Sequence, residues 1–362
     1  LMDQESHPLA ADLAHILDHT RPLWEDLRDG RIFITGGTGF FGTWLLESLL
    51  WADRALELNL SALVLTRNPG AFVEAMPSLG RHPALAFHTG DIRDFEFPEG
   101  RFSHIIHAAT TSAVATYNQE DPLRKFDTVA TGTRRALDFA VHCGARRFLL
   151  TSSGSVYGRQ PQELTHIPES YSGAPDPALP ASALGLGKRV AEFLCADYAR
   201  KHALEVSIAR CFSFIGPHLQ LDIHYAIGNF LRDALRGGPI RVNGDGTPRR
   251  SFLYAADLMI WLWTLLFRGE NGEIYNVGSE REISIGDLAH LVAHCAGMDA
   301  HVLVAKAPVS SAEIDRYIPS TQRAREQLGL REFIPLEESI TRTLAFLAQQ
   351  HFSSPLTLTR RS

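Results

Sequence analysis

The stretch RIFITGGTGFFG, Arg31–Gly42, constrains this chain more than any other. A short apolar run leads into Gly36, Gly39 and Gly42 at GxxGxxG spacing, and the apolar segment TWLLESLLWA follows at once. An apolar run bounded by glycines suits a strand buried on both faces, and the longer segment suits a helix. Glycines between such elements allow a tight turn and close approach of a ligand to the backbone. The helix N-terminus then presents free N–H groups and the positive end of its dipole to an anion. The combination fits the pyrophosphate of a dinucleotide, with Thr38, Phe40 and Phe41 in the same turn. The competing reading is a glycine turn needed only for close helix–strand packing.

Further along, SALVLT (61–66), LAFHTGDIRD (85–94), HIIHAA (104–109), RRFLLTSS (146–153) and VSIARC (206–211) read as strands or hold them. GTRRALDFAVHCG between them has helical periodicity and stops at Gly144. Strands alternating with helices predict an α/β fold: a Rossmann-type doubly wound parallel sheet with a smaller mixed α/β substrate-binding region. The expected organisation is a helical extension over 1–29, a dinucleotide-binding domain over 30–211 and a mainly substrate-binding region over 212–350. Part of the last, about 251–279, is expected to return to the first domain, and 351–362 to form a frayed tail. The run IWLWTLLF (260–267) is too short to cross a bilayer and reads as a buried helix.

With 45% hydrophobic and 21% charged residues in 362, the chain can build a sizeable core. A net charge of −6 favours neither nucleic acid nor an anionic membrane as partner. Cys143, Cys195, Cys211 and Cys295 lie far apart without metal-ligand spacing, so no metal is expected. Free buried thiols in a reducing cytoplasm are expected instead. The opening LMDQES lacks the basic and apolar segments of a secretion signal.

The glycine turn, GDIRD, HAAT, TSSGSVYG, Lys188, RSFLYAADL and YNVG occur in one order. That order resembles the extended short-chain dehydrogenase/reductase superfamily, and within it the NAD(P)-dependent epimerase/dehydratase family acting on nucleotide sugars, over roughly residues 30–345. The resemblance implies that Asp91 and Ile92 hold the adenine and that Ala108 and Ala109 line the adenosine side. NAD enzymes usually place an acid after the second strand; here stands Thr66-Arg67-Asn68. Arg67 then either meets a 2′-phosphate, favouring NADP over NAD, or is a solvated surface charge.

The resemblance also assigns the reacting centre. Ser153 matches the residue that hydrogen-bonds the reacting oxygen, and Lys188 the lysine that binds the nicotinamide ribose. Four residues before the lysine, one turn away on the same helical face, the family places a tyrosine whose pKa the lysine lowers. Here that position is Leu184, which has no proton to exchange. Sugar 4,6-dehydratases carry Asp-Glu where this chain has Gly154-Ser155; two asparagines of the family correspond to Val129 and Ser213.

On the substrate side, Arg250 and its neighbour Arg249 match the diphosphate-binding arginine, and Thr110, Ser213 and Asn229 match substrate-binding positions. His224, Tyr225, His166 and Tyr171 are candidates to replace the missing acid/base group. Two functions follow. One is a nucleotide-sugar epimerase, dehydratase or reductase, spanning isomerase, lyase and oxidoreductase chemistry, with non-standard proton transfer. The other is a degenerate member that holds dinucleotide and nucleotide sugar without turnover. The family also implies a homodimer through helices near 122–143 and 183–200.

Overall fold

The computed structural model describes residues 7–111, 120–221, 225–298, 301–307 and 313–353. Six strands, β1 (Arg31–Thr35), β2 (Ser61–Thr66), β3 (Leu85–Thr89), β4 (His104–His107), β5 (Arg147–Ser153) and β6 (Glu205–Cys211), form most of one sheet. Shorter strands follow: β7 (Phe214–Ile215), β8 (Ile240–Val242), β9 (Arg249–Arg250), β10 (Leu253–Tyr254), β11 (Ile274–Val277), β12 (Ile283–Ser284), β13 (Val302–Val304) and β14 (Arg316–Tyr317). β11 joins the main sheet, whose order is β11-β6-β5-β4-β1-β2-β3. Every pairing in it is parallel. The α/β Rossmann-type architecture expected from the alternation is therefore present.

The chain leaves β1 towards β2 and β3, then returns to place β4 on the other side of β1. That reversal opens a crevice at the carboxyl ends of β1 and β4, where open α/β sheets bind ligands.

Period-2 alternation builds two cores. Ile32, Ile34 and Val64 face a cluster with Trp24, Trp44 and Trp263, while Phe33, Leu63 and Leu65 face one with Phe95, Phe102 and Phe139. The helix Ala255–Arg268 contains IWLWTLLF and is buried nearly throughout. The N-terminal helix Ala10–Thr20 is tied to distant segments: buried Asp12 accepts from Tyr254 Oη at 2.7 Å and pairs with Arg342.

Two readings of local structure need correction. β4 stops at His107 rather than Ala109, because Ala108 and Ala109 turn against Gly36. Cys143, Cys195 and Cys211 are buried free thiols, but Cys295 is only half-buried, near the end of a surface helix. Among the described residues no helix is long and apolar enough to cross a membrane, and no group of three or more His, Cys, Asp or Glu is placed to hold a metal ion.

Candidate functional site

The turn after β1 is pressed against the segment after β4. Gly36 has φ +72°, and a Cβ there would sit 2.6 Å from the Ala108 carbonyl. A Cβ at Gly42 would lie 2.3 Å from the Gly37 backbone. These two glycines are required by packing inside the protein. Gly39 differs: it caps the helix Phe40–Leu56, is exposed, and a Cβ on it would meet nothing closer than Gly36 O at 3.6 Å. The space beside Gly39 is thus open to a ligand at a helix N-terminus, which fits a dinucleotide pyrophosphate. Thr38 is exposed beside it, and half-buried Phe40 and Phe41 flank it, Phe41 packing on Phe214 at 5.1 Å between ring centroids.

A buried polar chain that sequence reasoning missed fixes this crevice. Ala109 N–H donates to Thr35 Oγ1 at 3.1 Å; Thr35 Oγ1 bonds His107 Nδ1 at 2.7 Å; His107 Nε2 bonds Thr133 Oγ1 at 3.0 Å. Burial, helped by the Lys188 charge, lowers the His107 pKa to about 3, so the ring is neutral and locks the Ala108–Ala109 turn in place. Three residues on separate elements carry no common spacing signal.

At the expected adenosine end, Asp91 accepts from Arg93 Nε at 2.8 Å and from the Arg93 backbone N–H at 3.0 Å. The Arg93 hydrogen bond holds the Asp91 carboxyl below its ordinary pKa, against the effect of burial. Ile92 is buried under it. Asn68 caps the next helix by accepting from Ala71 N–H, leaving Arg67 exposed at the end of β2, close enough to Asp91 to act on its charge. Two cations, Arg67 and Arg93, therefore border the place where an NAD enzyme usually keeps an acid; Arg93 was not foreseen.

At the expected reacting centre, Ser153 ends β5 and caps the short helical turn Gly154–Tyr157, its Oγ accepting from Ser155 N–H at 3.1 Å and Ser155 Oγ at 2.9 Å. Lys188, in the helix Ala183–Lys201, is buried and donates to Thr151 O at 2.6 Å. Burial lowers its pKa to about 8, with Cys211, Glu192 and Cys195 acting in the opposite direction. One turn further, Glu192 accepts from Ser152 Oγ at 2.5 Å and pairs with buried Arg210 at 2.6 Å. Arg210 lies over the Tyr157 ring at 4.6 Å, and Tyr157 Oη donates to Asn276 Oδ1 at 2.8 Å. This network braces the end of β5, which carries Ser153, against the helix that carries Lys188. Leu184 is half-buried and packs on the apolar cluster containing Ile92, Val129 and Leu150.

On the substrate side, the small sheet β12-β9-β14 presents Arg249 and Arg250 already paired: Arg249 with Glu282 at 2.6 Å and Arg250 with Asp315 at 2.6 Å. Glu282 also holds Arg316 at 3.2 Å, and among the described residues the buried Arg249 Nε has no hydrogen-bond partner. Ser213 is half-buried, and its carbonyl accepts from Leu253 N–H. Asn229 Oδ1 accepts from Arg232 at 2.9 Å. Thr110 is exposed at the end of the HAAT turn.

Of the replacement candidates, His224 lies outside the described residues. His166 is bonded to Glu280 O at 2.9 Å, and Tyr171 packs near Tyr157. Tyr225 precedes the helix Ala226–Leu235 and lies near Tyr317, which in turn neighbours Ser153. Tyr317 sits in RYIPS, where neither motif nor periodicity marks it.

Comparison with known proteins places the chain in a family. The sequence model of the NAD dependent epimerase/dehydratase family matches residues 32–278. UDP-glucuronic acid decarboxylase 6 of Arabidopsis thaliana is 32% identical over 319 residues, 85% of this chain and 88% of its own. UDP-glucuronic acid decarboxylase 1 of Xenopus tropicalis is 29% identical over 325 residues, 88% of this chain and 72% of its own. Among solved structures, dTDP-glucose 4,6-dehydratase from Streptomyces venezuelae, with NAD and TYD bound, superposes with TM-score 0.75 at 25% identity, covering 90% of this chain and 99% of that one. UDP-glucose 4-epimerase of Thermotoga maritima, with UDP-glucose, has the same fold: TM-score 0.73 at 23% identity, over 88% and 99% of the two chains.

Proposed function

This chain belongs to the NAD dependent epimerase/dehydratase family, and from that premise we propose that it modifies a nucleotide sugar with a bound nicotinamide cofactor, using a proton-transfer group other than the usual tyrosine. The observation that carries the reading is the convergence of Ser153 and buried Lys188 at the end of β5, in a fold whose glycine turn leaves Gly39 open to a ligand. When bound, the cofactor supplies reversible redox chemistry at a sugar carbinol carbon. The chain's own residues do the rest. The helix N-terminus at Gly39 holds the pyrophosphate, Lys188 Nζ faces the ribose hydroxyls, and Ser153 Oγ bonds the reacting sugar oxygen. Arg249 and Arg250 take the substrate diphosphate by exchanging carboxylate partners for phosphate oxygens.

A uridine diphosphate sugar is the substrate class we assign, because the 32%-identical relative is a UDP-glucuronic acid decarboxylase. Arg67, with Arg93 nearby and no acid after β2, favours NADP over NAD. Arg67→Ala should weaken NADP binding by about three- to tenfold, the modest effect of an exposed charge, and NAD binding less; equal losses in calorimetry would assign Arg67 to the surface. We also propose a homodimer through the helices Pro122–Cys143 and Ala183–Lys201, on which Leu123, Val141, Val190 and Phe193 are exposed. A monomer mass by light scattering would contradict it.

Leu184 supports the second reading, binding without turnover. Mass spectrometry of molecules retained by the purified protein, followed by single-turnover absorbance of the nicotinamide, separates the two. A retained nucleotide sugar that never changes the cofactor's redox state would favour the binding protein.

A further inference from the structure

The helix Ala183–Lys201 lacks a hydroxyl one turn before Lys188, yet a phenol reaches the same centre from another direction. Tyr317 lies on β14, in register with Arg250 on β9. Its strand is held by Ile318 N–H donating to Gln160 Oε1 at 3.0 Å and by Ile167 N–H donating to Ile318 O at 2.9 Å. The Tyr317 ring packs on Phe212 with centroids 4.7 Å apart, and Ser153 lies near enough to its hydroxyl to act on it. Gly154 makes room for it: a Cβ there would lie 2.6 Å from Tyr317 Oη and 2.8 Å from the Phe212 ring. The chain thus lacks a side chain at 154 and a hydroxyl at 184, while a hydroxyl from β14 stands against the first position.

We propose that Tyr317 Oη, standing beside Gly154 and Ser153, is the group that exchanges a proton with the reacting sugar oxygen. The proposal rests on the nucleotide-sugar reading above. Burial raises the Tyr317 pKa, against the effects of the neighbouring Ser153 and the Arg250 charge, with Cys211 and Tyr225 adding to the rise. The phenol is therefore protonated at neutral pH and is set to donate. In the reducing direction the Tyr317 O–H bond breaks and its proton joins the oxygen of a keto sugar, forming the carbinol O–H. The electron pair and carbon-bound hydrogen that complete the reduction come from the reduced nicotinamide. The phenolate, facing Arg250, regains its proton from water. Oxidation of the carbinol reverses each transfer.

The test uses the full chain, loaded with reduced nicotinamide and probed with a UDP-keto sugar for rate, and with NAD and UDP-glucuronic acid for binding. Tyr317→Phe keeps the ring and removes the hydroxyl. It should slow single-turnover change in nicotinamide absorbance by about 10²–10⁴-fold, while calorimetric affinities for NAD and UDP-glucuronic acid stay within about threefold. Gly154→Ala, which crowds the hydroxyl, should slow the same step, and Leu184→Tyr should restore rate to Tyr317→Phe. Independently of turnover, the Tyr317 ring carbon signal in ¹³C-tyrosine NMR, identified by its loss in Tyr317→Phe, should move when UDP-glucuronic acid binds. Full rate in Tyr317→Phe overturns the proposal, and so does a signal that stays fixed while the sugar nucleotide binds. Parallel loss of rate, cofactor affinity and thermal stability would assign Tyr317 a structural role and also overturn it. Failure of the wild type to bind UDP-glucuronic acid would reject the substrate reading itself, and this proposal with it.

Discussion

The glycine turn after β1 and the small sheet β12-β9-β14 both border the carboxyl ends of the central strands, but they are made of opposite materials. The turn offers backbone and open space: Gly36 and Gly42 pack inside the protein, and Gly39 leaves a gap at a helix N-terminus. The sheet offers guanidinium groups, each held by a carboxylate from a distant segment: Arg249 and Arg316 by Glu282, and Arg250 by Asp315. The first region depends on what is absent from the chain. The second depends on partners that an incoming anion must replace. Half-exposed pairs of this kind contribute only about 0–1 kcal/mol, so their opening costs little.

The comparison can be broken most forcefully through the buried pair that braces the cofactor half. Glu192→Ala leaves Arg210 buried without its partner and should lower unfolding free energy by about 3–5 kcal/mol. Glu282→Ala, in the half-exposed sheet, should lower it by less than about 1 kcal/mol. Similar losses in urea unfolding would erase the distinction between the two regions.

The glycine turn itself provides the next contrast. Gly39→Val should weaken NAD binding about 100-fold, or about 2.7 kcal/mol, with little change in melting temperature. Gly42→Ala should instead destabilise the fold by about 1–3 kcal/mol, because its Cβ meets backbone rather than ligand. If Gly39→Val bound NAD normally, the turn would be a packing device only.

Lys188 gives the most unusual effect, since removing a residue proposed for the site should stabilise the protein. Burial depresses its pKa from 10.5 to about 8. Below pH 8 both folded and unfolded chains carry the charge, and the folded state bears the full cost of burying it. Between about 8 and 10.5 the unfolded chain binds the extra proton, so stability should rise with pH across that window. Lys188→Met should raise stability at neutral pH by about 1–3 kcal/mol and remove that rise. Unfolding curves at several pH values would show a wild-type slope that the variant lacks; a slope shared by both would place its origin elsewhere.

Much of the first region was legible because its signals are local. Gly36, Gly39 and Gly42 lie within seven residues, and the alternation of Ile32, Phe33 and Ile34 distributes side chains to two cores by pleat geometry alone. Ser153, Lys188 and Leu184 could be singled out because the family resemblance assigns roles to those positions. Arg93 was visible inside GDIRD but passed over, since a charge next to an acid is more often solvated than placed.

What the sequence determined, then, is the pattern within single elements: strand, turn, helix, and the vacancy at Leu184. What only the tertiary structure decided is which distant segments meet. Thr35, His107 and Thr133 form one hydrogen-bonded chain across three elements, and Glu282 reaches Arg249 across β12 and β9. Tyr317 reaches Ser153 because Phe212 supports its ring and Gly154 has no side chain in its path. Periodicity and steric limits act between neighbours along the chain and can be read there. Contacts between remote segments follow from how whole elements pack, and no local spacing encodes them.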